Sequence, residues 1–326
     1  MGDMKLLDHV RLTAKRMHYS SSTEDVYVYW IKRFILFHDK KHPKDMSVSE
    51  VEDFLSHLAS SENVAASTQN QALCAILFLY KTVMGVEFNN ALKHLRAKKP
   101  KRLPTVLTRE ETLQVLRNLY GTNQLMARII YGGGLRLMDC VKLRVKDVDV
   151  ESKCITIKGG KGGKDRYSVL PVSLLPELKA HLLLRKELHK RDLANGYGHA
   201  PLPKKLDRKY INASREWIWQ YVFPSSKISD TFPNGEGGRH HISPSTLQKA
   251  IRRAAVRSGV SKRVTCHTFR HSIATHLLED GCDIRKLQEI LGHKDIKTTM
   301  IYTHVSNLGL TGVRSPLDMI WDLLDS

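Results

Sequence analysis

Residues 96–107 read Arg-Ala-Lys-Lys-Pro-Lys-Arg-Leu-Pro-Thr-Val-Leu, with five basic side chains, two prolines and no acid. Proline has no N–H to give to a helix or a ladder, and it pushes the residue before it towards extended backbone. No regular element runs through such a stretch, so it divides the 326-residue chain into two folding units of ordinary domain size. We read 1–95 as the first domain, 96–107 as a basic linker and 108–326 as the second domain.

The first domain reads as helical throughout. Tyr27, Trp30, Ile31, Phe34 and Phe37 recur at the spacing of one helix face, and Thr23 to Asp25 offer polar capping groups just before them. Met46 to His57 and Ser67 to Val83 carry two more such patterns, giving a module of about four helices. The second domain opens at Thr108-Arg-Glu-Glu111, a capping box. Helical patterns follow, broken once by strand-like runs at Lys153 to Lys158 and Arg166 to Pro171. The Gly-Gly-Lys-Gly-Gly-Lys-Asp between them is a hairpin turn. It is not a phosphate-cradling P-loop, because no Ser or Thr follows Gly-Lys. The fold class expected is mainly α with a small β-hairpin or sheet.

Charge narrows the partner. Lys and Arg number 52 against 33 Asp and Glu, a net +19, with an isoelectric point near 9.7. Such an excess attracts phosphate backbones through counterion release, so nucleic acid is the expected partner. No apolar run approaches the ~20 residues a membrane helix needs, and no membrane partner is expected. Five scattered cysteines form no disulfide framework and read as reduced thiols. The first residues, MGDMKLLDHV, lack the apolar core of a signal peptide, so a cytoplasmic location is expected.

The basic character is concentrated. From Gly237 to Leu278 there is no Asp or Glu, while eight Lys or Arg and five His occur. Within this run Leu247, Ile251, Ala254 and Ala255 make one apolar helix face, and Lys249, Arg252, Arg253 and Arg257 lie mostly off it. That arrangement suits a phosphate backbone. Just upstream, about residues 195–243 form a polar insert rich in rings, among them Tyr197, Trp217, Trp219, Tyr221 and Phe223.

Four short segments carry chemistry together: Gly133-Gly-Leu-Arg136, the turn holding Lys161, His267-Thr-Phe-Arg270, and Leu291-Gly-His293 with Tyr302 nine residues later. Each alone has a plain explanation, such as a surface ion pair, a solvated lysine or a packed phenol. In this order and spacing the set resembles the tyrosine recombinase (phage-integrase) family over the whole chain. The resemblance implies a helical, SAM-like core-binding domain and a catalytic domain closing as a C-shaped clamp on DNA. It implies a phenolic nucleophile, Tyr302, that breaks and rejoins a strand through a 3′-phosphotyrosine.

The residue types suit that reaction. Phosphoryl transfer builds negative charge on the nonbridging oxygens, and the planar, always-charged guanidiniums of Arg136 and Arg270 neutralise it. A phenol with pKa near ~10 is about one part in a thousand ionised at pH 7 and needs a base. By resemblance that base is His267, with His293 hydrogen-bonding the transition state and Lys161 protonating the departing 5′-oxygen. Lys164 is the alternative acid. No metal and no cofactor are expected, since arginine and lysine do the charge work. His267 and His271 are spaced as zinc ligands can be, yet Arg270 between them repels a cation.

The insert Leu-Asp-Arg-Lys-Tyr-Ile-Asn…His-His-Ile-Ser and the tail Gly-Val-Arg-Ser-Pro-Leu-Asp resemble those of integron integrases. This implies integration and excision of gene cassettes between a duplex site, attI, and attC, a folded single strand with extrahelical bases. It also implies a homo-tetramer on two DNA sites and a bacterial, nucleoid-associated location. Trp219 would project and, with Pro233, His240 and His241, form a base pocket, because unstacked bases are taken by aromatic platforms and cations. Lys98, Lys99 and Lys101 of the linker, with Arg252, Arg253 and Arg257, would follow the backbone. Pro316 to Leu324 would dock on a neighbouring protomer. The other readings are a Xer- or phage-type recombinase acting on duplex sites only, a type IB topoisomerase, and an architectural DNA-binding protein without catalysis.

Overall fold

The computed structural model describes residues 5–86, 95–98, 103–158, 165–202, 210, 212–230, 232 and 237–304. It divides into two compact units, Met1–Arg102 and Leu103–Ser326, with the division falling inside the proline-containing basic stretch.

The first unit holds α1 (Leu6–Arg16), α2 (Ser21–Phe37), α3 (Val48–Ser60) and α4 (Ala66–Leu77), which runs on into a π-helical turn, Phe78–Met84. Its α2 starts earlier than the sequence suggested. Ser20 is the cap, its hydroxyl accepting from the Thr23 N–H at 3.2 Å. Trp30, Ile31 and Phe34 are buried. Phe37, last on the stripe, reaches only the rim and lies tilted against Phe54 and His57. A capping box of Ser47 and Glu50 opens α3, and Phe54, Leu58, Leu73 and Ile76 complete the core.

In the second unit Thr108 and Glu111 cap α5 (Arg109–Arg117) reciprocally, at 2.8 and 3.1 Å. After α6 (Gly121–Gly133) and α7 (Leu137–Val141) come β1 (Val148–Asp149), β2 (Cys154–Ile157) and β3 (Arg166–Val169). They form an antiparallel sheet in the order β1-β2-β3, with Ile155 opposite Ser168. Two residues of β1 are too few to show a period of two, so the sequence revealed only the hairpin. Ile155 and Ile157 turn inward onto the main core.

A long α8 (Leu175–Ala194) leads into the insert, which holds two short 3₁₀ turns, Ala213–Arg215 and Trp217–Trp219. The insert is tied to the unit by isolated bridges, Arg144 to Tyr221 and Pro224 to His241 among them. Then follow α9 (Pro244–Arg257), α10 (Cys266–Glu279), α11 (Ile284–Leu291) and α12 (Ile296–Met300), and a 3₁₀ turn, Ile301–His304. As the sequence predicts, α9 buries Leu247, Ile251, Ala254 and Ala255. No helix among the described residues is long and apolar enough to cross a membrane.

Candidate active site

Two glycines set the site's geometry. Gly134 ends α6 and Gly292 ends α11, at φ of +60° and +61°, a left-handed conformation that a residue with a Cβ adopts only at a cost. Each turn leaves carbonyls at the negative end of a helix dipole, where cations are favoured. The two motif arginines answer them. Arg270, on α10 and 2 % exposed, donates from Nη1 to the Gly134 carbonyl and from Nη2 to that of Leu291. Arg136, just before α7, donates from Nη2 to the Gly292 carbonyl at 3.1 Å. Its Nη1 is buried without a hydrogen-bond partner, 3.9 Å from an Asp139 oxygen. Burial, with Arg136 and Arg166 nearby, pushes the Arg270 guanidinium down to about 9. An anion there would relieve both the repulsion and the orphaned N–H.

A third arginine, on no motif, joins them. Arg166 opens β3, pairs with Asp139 at 2.7 Å and donates to the Ile290 carbonyl at 3.3 Å. Asp139 also accepts the Arg136 backbone N–H at 3.2 Å, so one carboxylate orients two guanidiniums.

Tyr302, 3 % exposed, lies on the last 3₁₀ turn. The histidine its hydroxyl meets is His271, through Nδ1 at 2.9 Å, and not the expected His267. His267 sits one helical turn back, its ring 5.3 Å from that of His271. The structure thus pairs the phenol with a histidine to which the sequence reading gives no catalytic role. The i,i+4 pair on α10 is visible in the sequence, where its spacing raises only a zinc site, set aside for the intervening Arg270. Among the described residues no cluster of His, Cys, Asp or Glu could hold a metal ion.

His293 stacks on the Tyr302 ring at 6.2 Å and 17°, and its Nδ1 is hydrogen-bonded to the Thr299 hydroxyl at 3.0 Å. Burial, reinforced by the neighbouring cations, holds His271 down to about 4 and His293 to about 3. Both imidazoles are therefore neutral at pH 7. Burial pushes the Tyr302 phenol up, while Arg270 and Arg136 pull it back. Lys161 and Lys164 lie outside the described residues.

In the insert, rings gather on Arg144, which the sequence reading passed over. Its guanidinium lies 4.5 Å from the Tyr221 ring centre and 5.9 Å from that of Trp219. It donates to the carbonyls of Trp219 and Pro201. His240 and His241 pack on Tyr221 at 5.6 and 5.4 Å. Trp219 does not project freely, as the resemblance implied. The turn is 3₁₀, the indole is half-buried, and the Lys146 ammonium stands 3.4 Å from its ring centre. Trp217 packs beside His189 at 5.9 Å, and Ile218 is the exposed member of the turn.

Among the backbone-following candidates, Lys98, Arg252 and Arg253 are exposed. Arg257 is exposed but tied back, donating to the Asn118 carbonyl and lying over the Tyr120 ring at 5.9 Å. Lys99, Lys101 and Pro233 lie outside the described residues.

The phage integrase family matches over residues 105–308, and the phage integrase N-terminal SAM-like domain over residues 6–90. Two proteins named integrase/recombinase, from Escherichia coli and Pseudomonas aeruginosa, are each 43% identical over 320 residues, covering 98% of this chain and 95% of theirs. In structure the chain is similar to the XerH site-specific recombinase bound to palindromic difH substrate. The TM-score is 0.61 at 21% identity, covering 91% of this chain and 80% of that one, a likeness of fold.

Proposed function

Because this chain belongs to the phage integrase family and is a tyrosine recombinase, an enzyme that cleaves and rejoins DNA, we propose that it moves gene cassettes between an attI duplex and an attC strand folded as a hairpin. The observation that carries this reading is the half-buried Trp219 with His240 and His241 beside it, gathered over the buried Tyr221 and Arg144. An aromatic face beside cations is the kind of surface that takes an unstacked base.

At the catalytic centre the scissile phosphate lies between Arg136 and Arg270, its nonbridging oxygen taking up the orphaned Arg136 Nη1. The Tyr302 oxygen attacks phosphorus as its proton passes towards neutral His271. The bond to the 5′-oxygen breaks, and that oxygen takes a proton from Lys161. His293 and Arg270 hold the developing charge. The phosphotyrosyl ester keeps the phosphoryl group activated, so a 5′-hydroxyl from a second strand reverses the steps and frees Tyr302. Four copies on two sites let two such exchanges be paired, joined through Pro316 to Leu324, outside the described residues. The work is done in the bacterial cytoplasm, at the nucleoid.

The test is a suicide-substrate assay in which top and bottom strands of a hairpin site are offered separately. The expected result is a covalent complex on one folded strand, abolished by Tyr302→Phe and strongly reduced by Trp219→Ala. Cleavage of duplex sites alone would favour a Xer-type recombinase instead.

A further inference from the structure

Lys146 lies on a 3₁₀ turn, Val145–Asp147, and belongs to none of the motifs. Its ammonium covers the Trp219 indole, 3.4 Å from the ring centre. The turn packs against β2, and burial, together with the charge of Lys158 just past the end of that strand, pushes Lys146 down to about 8. Two ammonium groups are donors only, so neither can satisfy the other.

The nearest acid, Asp147, is a poor counter-ion. It is buried, one oxygen is engaged by the Arg144 N–H at 3.2 Å, and the other has no hydrogen-bond partner. Its carboxyl is itself pushed up by burial. Neither lysine forms an ion pair with a carboxylate among the described residues. Paired cations beside an aromatic face, without an acid between them, lack an anion bearing several acceptors.

We propose that Lys146 and Lys158 clamp one DNA phosphodiester at the edge of Trp219, and that Lys146, in moving onto the phosphate, frees the indole face for the adjoining unstacked base. The inference rests on the reading above in taking Trp219 as the platform for an extrahelical base. It adds that the ring is occupied by an ammonium until the phosphate draws it off. Lys146 thereby disfavours nucleotides lacking that phosphate.

The test uses the full chain and two synthetic DNA hairpins, one with a single extrahelical nucleotide and one fully paired, with a methylphosphonate version of the first at the nucleotide's phosphate. For wild type, affinity for the extrahelical hairpin falls about tenfold with the methylphosphonate. For Lys146→Gln/Lys158→Gln the two versions bind alike, and the slope of log affinity against log salt drops by about 0.7–0.9, the share of one phosphate. Lys146→Arg/Lys158→Arg, which keeps both charges, restores the slope and serves as the folding control. An unchanged slope in the glutamine variant, or equal methylphosphonate sensitivity in it and the wild type, overturns the clamp. A wild type that binds extrahelical and paired hairpins equally overturns the folded-strand reading instead, and the slope still decides the clamp.

Discussion

The Tyr302 hydroxyl lies 2.9 Å from Nδ1 of His271, a histidine that burial keeps neutral by holding it down to about 4. A neutral ring nitrogen can accept a proton, and a charged one cannot. His271→Ala is expected to slow single-turnover cleavage by about 10²–10⁴-fold, with DNA affinity in gel shift unchanged. His267→Ala should cost less. The opposite ranking would return the role to His267.

The same burial makes stability depend on pH with a definite sign. His271 and His293 have folded pKa values of about 4 and about 3, below the ~6.5 of an unfolded histidine. Between those values the unfolded chain binds more protons, so stability rises with pH there. The contribution is complete above about pH 6.5 and is lost as pH falls towards 3. Urea midpoints measured from pH 7.5 downwards should show this acid limb, and His271→Gln/His293→Gln should flatten it. A limb of equal steepness in the double variant would assign it elsewhere.

Arg136 differs from Arg270 in having a buried nitrogen with nothing to donate to. Such a group gains most when charge builds on the phosphate, so it accelerates more than it binds. Arg136→Ala should lower the cleavage rate about 10²–10³-fold with little change in affinity. Arg136→Lys should recover only part of this, since an ammonium cannot reach both the Gly292 carbonyl and the phosphate. Normal cleavage by Arg136→Ala would remove it from the phosphate clamp.

Much of this molecule is readable in its sequence, and the exceptions share a cause. The Thr108 capping box, the α9 face and the pairing of β2 with β3 follow from local rules, and each appears in the structure. The catalytic types are legible because the chemistry demands them. His271, Arg166 and Asp139 are not, because their roles arise from contacts between segments far apart in the chain, such as Arg166 with Asp139 and Ile290. The cover over Trp219 is not legible either, because Lys146 reaches the ring from 73 residues away.

Gly292 and Gly281 are both left-handed, at φ +61° and +81°, but their surroundings differ. A Cβ at Gly281 would meet nothing within 4 Å, whereas one at Gly292 would lie 2.5 Å from the Arg166 Cδ. Arg166 cannot easily yield, because Asp139 and the Ile290 carbonyl hold it. Gly281→Ala should therefore cost only the conformational ~1–2 kcal/mol and leave cleavage intact. Gly292→Ala should cost that and lose cleavage as well. Chemical denaturation and single-turnover assays together check this, and equal behaviour of the two variants would refute it.

On α9, Arg252 and Arg253 are exposed while Arg257 is held by the Asn118 carbonyl and the Tyr120 ring. A cation already committed to its own domain contributes less to a phosphate backbone than one in open solvent. Arg252→Gln/Arg253→Gln should weaken DNA binding on all sequences alike and reduce the salt slope by about 0.9 for each duplex phosphate released. Arg257→Gln should change the slope little and lower stability instead, through loss of its hydrogen bond, by about 1 kcal/mol. Lys98→Gln/Lys99→Gln in the linker belongs with the first pair. If Arg257→Gln flattened the slope as much as the Arg252/Arg253 pair, its tether would have to break on binding, and α9 would present three phosphate contacts in place of two.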